Sequence, residues 1–175
     1  MDQNLAIRPA PDLAAAGEPE PATGLDLTQP HTQAAYRYWA EKRGARRMPT
    51  PGDINPAEIR ALLPHITVVE ILEGSPVDYL YKIDGEAVRD AIGFTRTGHR
   101  LSEYRDRLGA AHIWLHDCYD KLRADRTPRS VRHALDYLSR SFHILEIVFL
   151  PLSRDGETVH RVLQCIDFVH RPEDM

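Results

Sequence analysis

Residues Ile66–Leu72 (ITVVEIL) and Val77–Ile83 (VDYLYKI), joined by Glu73–Gly74–Ser75–Pro76, decide how this chain is read. The first segment is a β-branched run, the second alternates apolar and polar residues, and the link is made of turn formers. Together they predict a β-hairpin. A lone hairpin is unstable in water and needs further strands or a helix over its apolar face. Toward the C-terminus three more strands are predicted, over about Arg129–Leu138, His143–Leu152 and Thr158–Val169. Their links, Ser139–Ser141 and Ser153–Glu157, are short enough to require antiparallel pairing, and Asp155–Gly156 is a hairpin signal.

Between the two strand groups, residues 85–105 read as short helical pieces and loops, punctuated by Gly85, Gly93 and Gly98. A long helix is predicted from about Asp106 to Ala124, with Leu108, Ala111, Leu115, Cys118, Tyr119 and Leu122 on one face. Upstream, a helix starts at Pro30, carries Ala35, Tyr36, Trp39 and Ala40 as an apolar stripe, and ends at Gly44. Pro49, Pro51 and Gly52 force a loop, and a second short helix is expected over Pro56–Leu62, capped by Asp53 or Asn55. Residues 1–29, interrupted by Pro9, Pro11, Pro19 and Pro21, are expected to be a disordered tail, and residues 171–175 a short C-terminal tail.

This element order implies one α+β domain: a five-stranded antiparallel sheet over residues 63–170, covered by helices, with a helical leader over 30–62 in front. A space between sheet and long helix is where a small ligand would sit.

The formal net charge is −4, but it sits in the tail. The first 30 residues hold five acids against Arg8 alone, so the other 145 carry 21 charges of each sign. A balanced domain has no overall field drawing it to nucleic acid or to a membrane surface. Cys118 and Cys165 form no disulfide framework and read as free thiols. With neither a signal peptide nor an apolar run approaching the ~20 residues of a membrane span, a cytoplasmic location is expected.

The element order resembles that of a PAS domain, and Ile92–Gly98 (IGFTRTG) resembles the glycine-bracketed turn after the first PAS helix. The leader Tyr38–Trp39, Lys42–Arg43–Gly44, Met48–Pro49 and Asp53–Ile54–Asn55–Pro56, followed by Leu63–Pro64, is similar to a PAS-like family found in alphaproteobacteria, mostly uncharacterised single-domain proteins. Tyr81, Asp84–Gly85, Glu146 and Leu150–Pro151–Leu152 match its later landmarks, so the resemblance covers about residues 33–169. It implies a homodimer to which the N-terminal helix contributes, and an interior that binds a small molecule, haem or flavin, or serves dimerisation only.

Six residues are candidates for contact with such a ligand: Tyr81, His112, Leu115, His116, Tyr119 and Glu146. His112 and His116 stand at i and i+4 on the long helix, and the resemblance implies haem there, since haem-binding PAS domains place an axial histidine on that helix. The bland reading makes one a satisfied, half-buried side chain and leaves the other in solvent. Zinc needs about four ligands, and spacing offers no third, so no metal is assigned. A flavin photoreceptor is disfavoured because the Asn-Cys-Arg type motif is missing. Glu146, flanked by Leu145 and Ile147, is either a buried carboxylate with a raised pKa suited to proton chemistry or one that faces solvent or pairs with an arginine. Arg43, Arg46 and Arg47, with Lys42, are a weak phosphate or anion site, or cations favoured at a helix C-terminus. Trp39, Tyr79, Tyr81, Trp114, Tyr119 and Tyr137 read as core or interface, and Ile113 as a hint of a second packing surface.

No Gly-x-Ser-x-Gly elbow, P-loop, HExxH or GxGxxG occurs. The leading expectation is therefore a non-catalytic ligand-binding or signalling module, dimeric, passing its state to an unknown signalling protein. A pure protein-interaction module is the alternative, and a small isomerase- or dehydratase-like pocket enzyme the third.

Overall fold

The computed structural model of this chain describes residues 25–134 and 142–170. Most of the predicted tail, the predicted joint Ser139–Ser141 and Tyr137 lie outside the described residues. Packing reaches back further than the expected start at Pro30, because Leu25 and Leu27 already rest against the core.

Five strands form one antiparallel sheet: β1 (Ile66–Leu72), β2 (Asp78–Asp84), β3 (Arg129–Ala134), β4 (Phe142–Leu152) and β5 (Arg161–His170), in the order β2-β1-β5-β4-β3. The helices are α1 (Pro30–Arg43), α2 (Glu86–Ile92), α3 (Arg105–Leu108) and α4 (Ala110–Asp125). Side chains alternate between the two sheet faces. One face carries Val69, Tyr79, Tyr81, Phe149, Val162 and Gln164 toward α4, and the other carries Glu146, Leu163, Cys165 and Asp167, with α1 against β4 and β5.

α1 starts at Pro30, whose missing N–H costs nothing in the first turn, and stops at Gly44, whose φ of 58° suits a residue without a Cβ. Trp39 anchors it, buried and donating from its indole Nε1 to the Pro151 carbonyl at 2.8 Å. On α4, Leu115, Tyr119 and Leu122 are buried, a spacing that puts them on one stripe. Each such side chain contributes about 1.5–3 kcal/mol.

Three expectations are corrected. The second leader helix is absent: residues 56–62 form successive turns, followed by a 3-10 turn at Leu63–His65. Asn55 caps the first of these turns by accepting from the Ala57 amide at 3.0 Å, but the hydrogen bonds that follow do not build an α-helix. The long helix is broken at Gly109, with φ of 52°, so α3 and α4 are separate. β5 begins at Arg161 rather than Thr158, because Asp155 Oδ1 accepts from the amides of Glu157 (2.8 Å) and Thr158 (2.7 Å) and keeps both in the turn.

Candidate functional site

The interior between sheet and α4 holds polar side chains among apolar ones. Tyr81 comes from β2, Tyr119 from α4 and Gln164 from β5, all fully buried, and Gln164 Nε2 donates to the Tyr119 hydroxyl. The Tyr119 ring packs against Tyr79 at 4.6 Å and edge-on to Phe149 at 5.8 Å between centroids. The Tyr81 hydroxyl, beside that of Tyr119, meets no partner at hydrogen-bonding geometry. Burial pushes both phenols above their ordinary pKa, so at neutral pH they are hydrogen-bonding groups and not acids. Arg96 lies over the Tyr81 ring, Cζ 4.2 Å from its centroid, and is itself buried. It reaches there from the IGFTRTG stretch, held by Asp84, to which Thr67 Oγ1 also donates at 2.8 Å.

Of the six candidates, the structure brings Tyr81 and Tyr119 together, with Leu115 buried one turn before Tyr119. His112 is buried with its Nε2 unpartnered, and burial, then neighbouring His116 and Arg105, lowers its pKa. His116 is half-buried, sharing its Nδ1 with Asp120 at 3.2 Å and packing edge-on to Tyr79 at 5.2 Å. Tyr79 packs against His116 and against Tyr119, and Tyr119 against Phe149, so aromatic rings fill the space beside His116 and the residues present there do not fit haem.

Glu146 belongs elsewhere. It lies on the α1 face of the sheet, buried, and accepts from the Thr28 amide (3.1 Å to each oxygen), the Gln29 amide (3.0 Å), the Thr28 hydroxyl (2.9 Å), the Thr32 hydroxyl and Arg132 Nη2 (2.8 Å). Those amides precede the first turn of α1, so Glu146 caps this helix from another strand. Burial acts to raise its pKa, but the bonds from Thr32, Gln29 and Thr28 outweigh it, and the net shift is downward. The raised-pKa reading of Glu146 is therefore corrected: it is held as an anion, not poised for proton transfer.

The basic cluster is engaged locally. Arg46 donates Nη2 to the Lys42 carbonyl at 2.6 Å and pairs with Asp53 at 2.9 Å, while Arg43 covers the Trp39 ring at 5.4 Å; Arg47 is exposed. The other landmark residues work as fastenings too. Tyr38 Oη accepts from the Asn55 amide at 2.9 Å and donates to Glu58 at 2.8 Å, and the Pro49 carbonyl accepts from the Ser153 amide at 3.0 Å. Sequence reasoning passed over Arg96 and Gln164. Gln164 had a signal, a polar side chain inside an apolar strand segment (VLQCI), and Arg96 stood inside a motif already singled out.

On the α1 face, His31, His65 and Asp167 form the one group of metal-competent side chains among the described residues, their ligand atoms within 4.8 Å of one another. No described helix is long and apolar enough to cross a membrane.

A search of curated proteins finds no match to the chain. The family model described as PAS domain matches residues 27–167, from the segment that Glu146 caps to the Asp167 that holds His31. That span takes in all four helices, the first four strands and β5 as far as Asp167, in the order the sheet and its covering helices require; the chain belongs to the PAS domain family.

Proposed function

We propose that this PAS domain is a non-catalytic signalling module that reads a small polar molecule in the interior between sheet and α4 and, as a homodimer, passes that state to a signalling protein through its helices. The observation supporting this is the buried cluster Tyr81–Arg96–Tyr119–Gln164, with an unpartnered hydroxyl on Tyr81. An apolar filling would be at least as stable at that depth, and a buried polar atom without a partner costs about 1–3 kcal/mol. A ligand that hydrogen-bonds Tyr81 removes that cost.

A protein-interaction module without a ligand is the second reading, supported by the close filling of the interior and by Ile83 and Ile113, 52% and 71% exposed. The enzyme reading loses its best residue, since the Glu146 carboxylate is on the opposite sheet face and consumed by α1. The Tyr38–Trp39 to Pro56 leader supports a place in the single-domain alphaproteobacterial branch.

The test is native mass spectrometry of freshly purified protein against its denatured mass. A dimer with extra mass that is lost on denaturation is the expected result. A clean dimer favours the interaction module, and a clean monomer overturns both.

A further inference from the structure

His31 stands in the first turn of α1, His65 ends the 3-10 turn before β1, and Asp167 lies near the end of β5. Folding brings these three separate segments to one point. His31 Nδ1 is 2.7 Å from Asp167 Oδ1, and His65 Nδ1 is 3.7 Å from the same oxygen. The two imidazoles are stacked, with centroids 3.9 Å apart and planes within 17°. Asp167 is nearly buried, while His65 and His31 remain 20% and 37% exposed, so the cluster has a rigid floor and an open mouth.

We propose that His31, His65 and Asp167 bind a divalent transition ion of the zinc type, with water in the remaining position. Two imidazoles and one carboxylate suit such an ion, and imidazole is a poor ligand for magnesium or calcium. The spacing also suits it. Ligand atoms of a tetrahedral zinc with bonds of ~2.0–2.1 Å lie about 3.3 Å apart. The observed 2.7 and 3.7 Å bracket that value, but the rings are stacked within 17° of parallel, so loading requires one imidazole to turn until both Nδ1 lone pairs point at the ion. Binding through Nδ1 needs both imidazoles in the tautomer protonated at Nε2, so each Nδ1 proton moves to Nε2 or, from an imidazolium, to solvent, and His65 gives up its 2.9 Å bond to the Ile166 carbonyl.

A cation near a helix N-terminus meets the positive end of the dipole. Here that end is already neutralised, because Glu146, register partner of Asp167, accepts the Thr28 and Gln29 amides. A bound ion would tie the leader helix to the sheet at a third point, beside Glu146 and Trp39. This site is separate from the interior reading above and does not depend on it.

The test uses the untagged full chain with Zn2+ followed by calorimetry and Co2+ followed by its visible absorption. The expected result is one ion per chain, with affinity at least about tenfold weaker in His31→Ala and in His65→Gln. A His112→Ala/His116→Ala double variant should bind as the parent does, since that i, i+4 pair is the competing site. Because a variant can lose its fold, the parent protein supplies a second readout: Co2+ should broaden the ring resonances of His31 and His65 before those of other histidines. No saturable binding, broadening centred on other histidines, or loss of binding in the His112/His116 variant with retention in His65→Gln each overturns the proposal.

Discussion

Arg96 grips Asp84 through two parallel hydrogen bonds, Nε to Oδ2 at 2.9 Å and Nη2 to Oδ1 at 2.6 Å, with both side chains buried. The Arg96 amide adds a third bond to Oδ2 at 3.0 Å. Removing one partner leaves the other charge stranded. Asp84→Ala should therefore cost about 3–5 kcal/mol in urea unfolding. Arg96→Lys should remain clearly destabilised, because an ammonium cannot reproduce the fork. The pair Asp84→Leu/Arg96→Met should recover part of the loss; full independence of the two substitutions would contradict this account.

Glu146 makes the fold acid-sensitive, with a sign fixed by its hydrogen bonds. Its pKa is lower folded than the ordinary 4.5, so its contribution is fully present above 4.5 and fades as pH falls through the folded value. Glu146→Gln should cost about 1–3 kcal/mol at neutral pH, and the gap to the parent should narrow on acidification below that point. Urea midpoints across a pH series check it. A constant gap would mean that the carboxylate charge plays no part.

Gly85 is irreplaceable for a steric reason. A Cβ there would stand 2.2 Å from the Pro64 carbonyl oxygen and 2.6 Å from that of Leu63, both rigid backbone atoms. The Gly85 amide also donates to the Ile66 carbonyl at 2.8 Å, which locks the approach. Gly85→Ala should cost about 3 kcal/mol, read as a fall in thermal midpoint.

The two thiols should be protected by the fold. Burial, then Asp117, pushes Cys118 up to about 11, and burial raises Cys165 well above its usual value. Against the ordinary 9.0, Cys118 carries roughly a hundredfold less thiolate; the higher nucleophilicity of that thiolate returns about tenfold, so a disulfide reagent at pH 8 should label it at least about tenfold more slowly than a free thiol. Addition of denaturant should release both.

The strands were legible because their cues are local. ITVVEIL, VDYLYKI and the Asp155–Gly156 turn each announce themselves within a dozen residues, and the pairing followed from short links. The turns at 56–62 run against the sequence because Pro56 and an Asn55 cap suit a helix start, yet the bonds formed stay at single turns. Gly109 was passed over since one glycine inside an amphipathic pattern carries little signal. The site was less legible for a reason of distance. Glu146 stood out as a carboxylate in an apolar strand, but its role depends on Thr28, 118 positions away. His31 and Asp167 are 136 positions apart, and nothing near either announces the other.

The place of β5 in the sheet order has a consequence for how the protein is made. β5 is the last of the five described strands to be synthesised, yet it is central, bonded to β1 on one side and β4 on the other. Until it leaves the ribosome, the β1–β2 hairpin and the β3–β4 pair share no hydrogen bond between them, and each shows an apolar face to its surroundings. The five-stranded sheet cannot be complete before residue 170 has been translated, and until then the two strand pairs have unpaired edges, the feature that invites association with other chains.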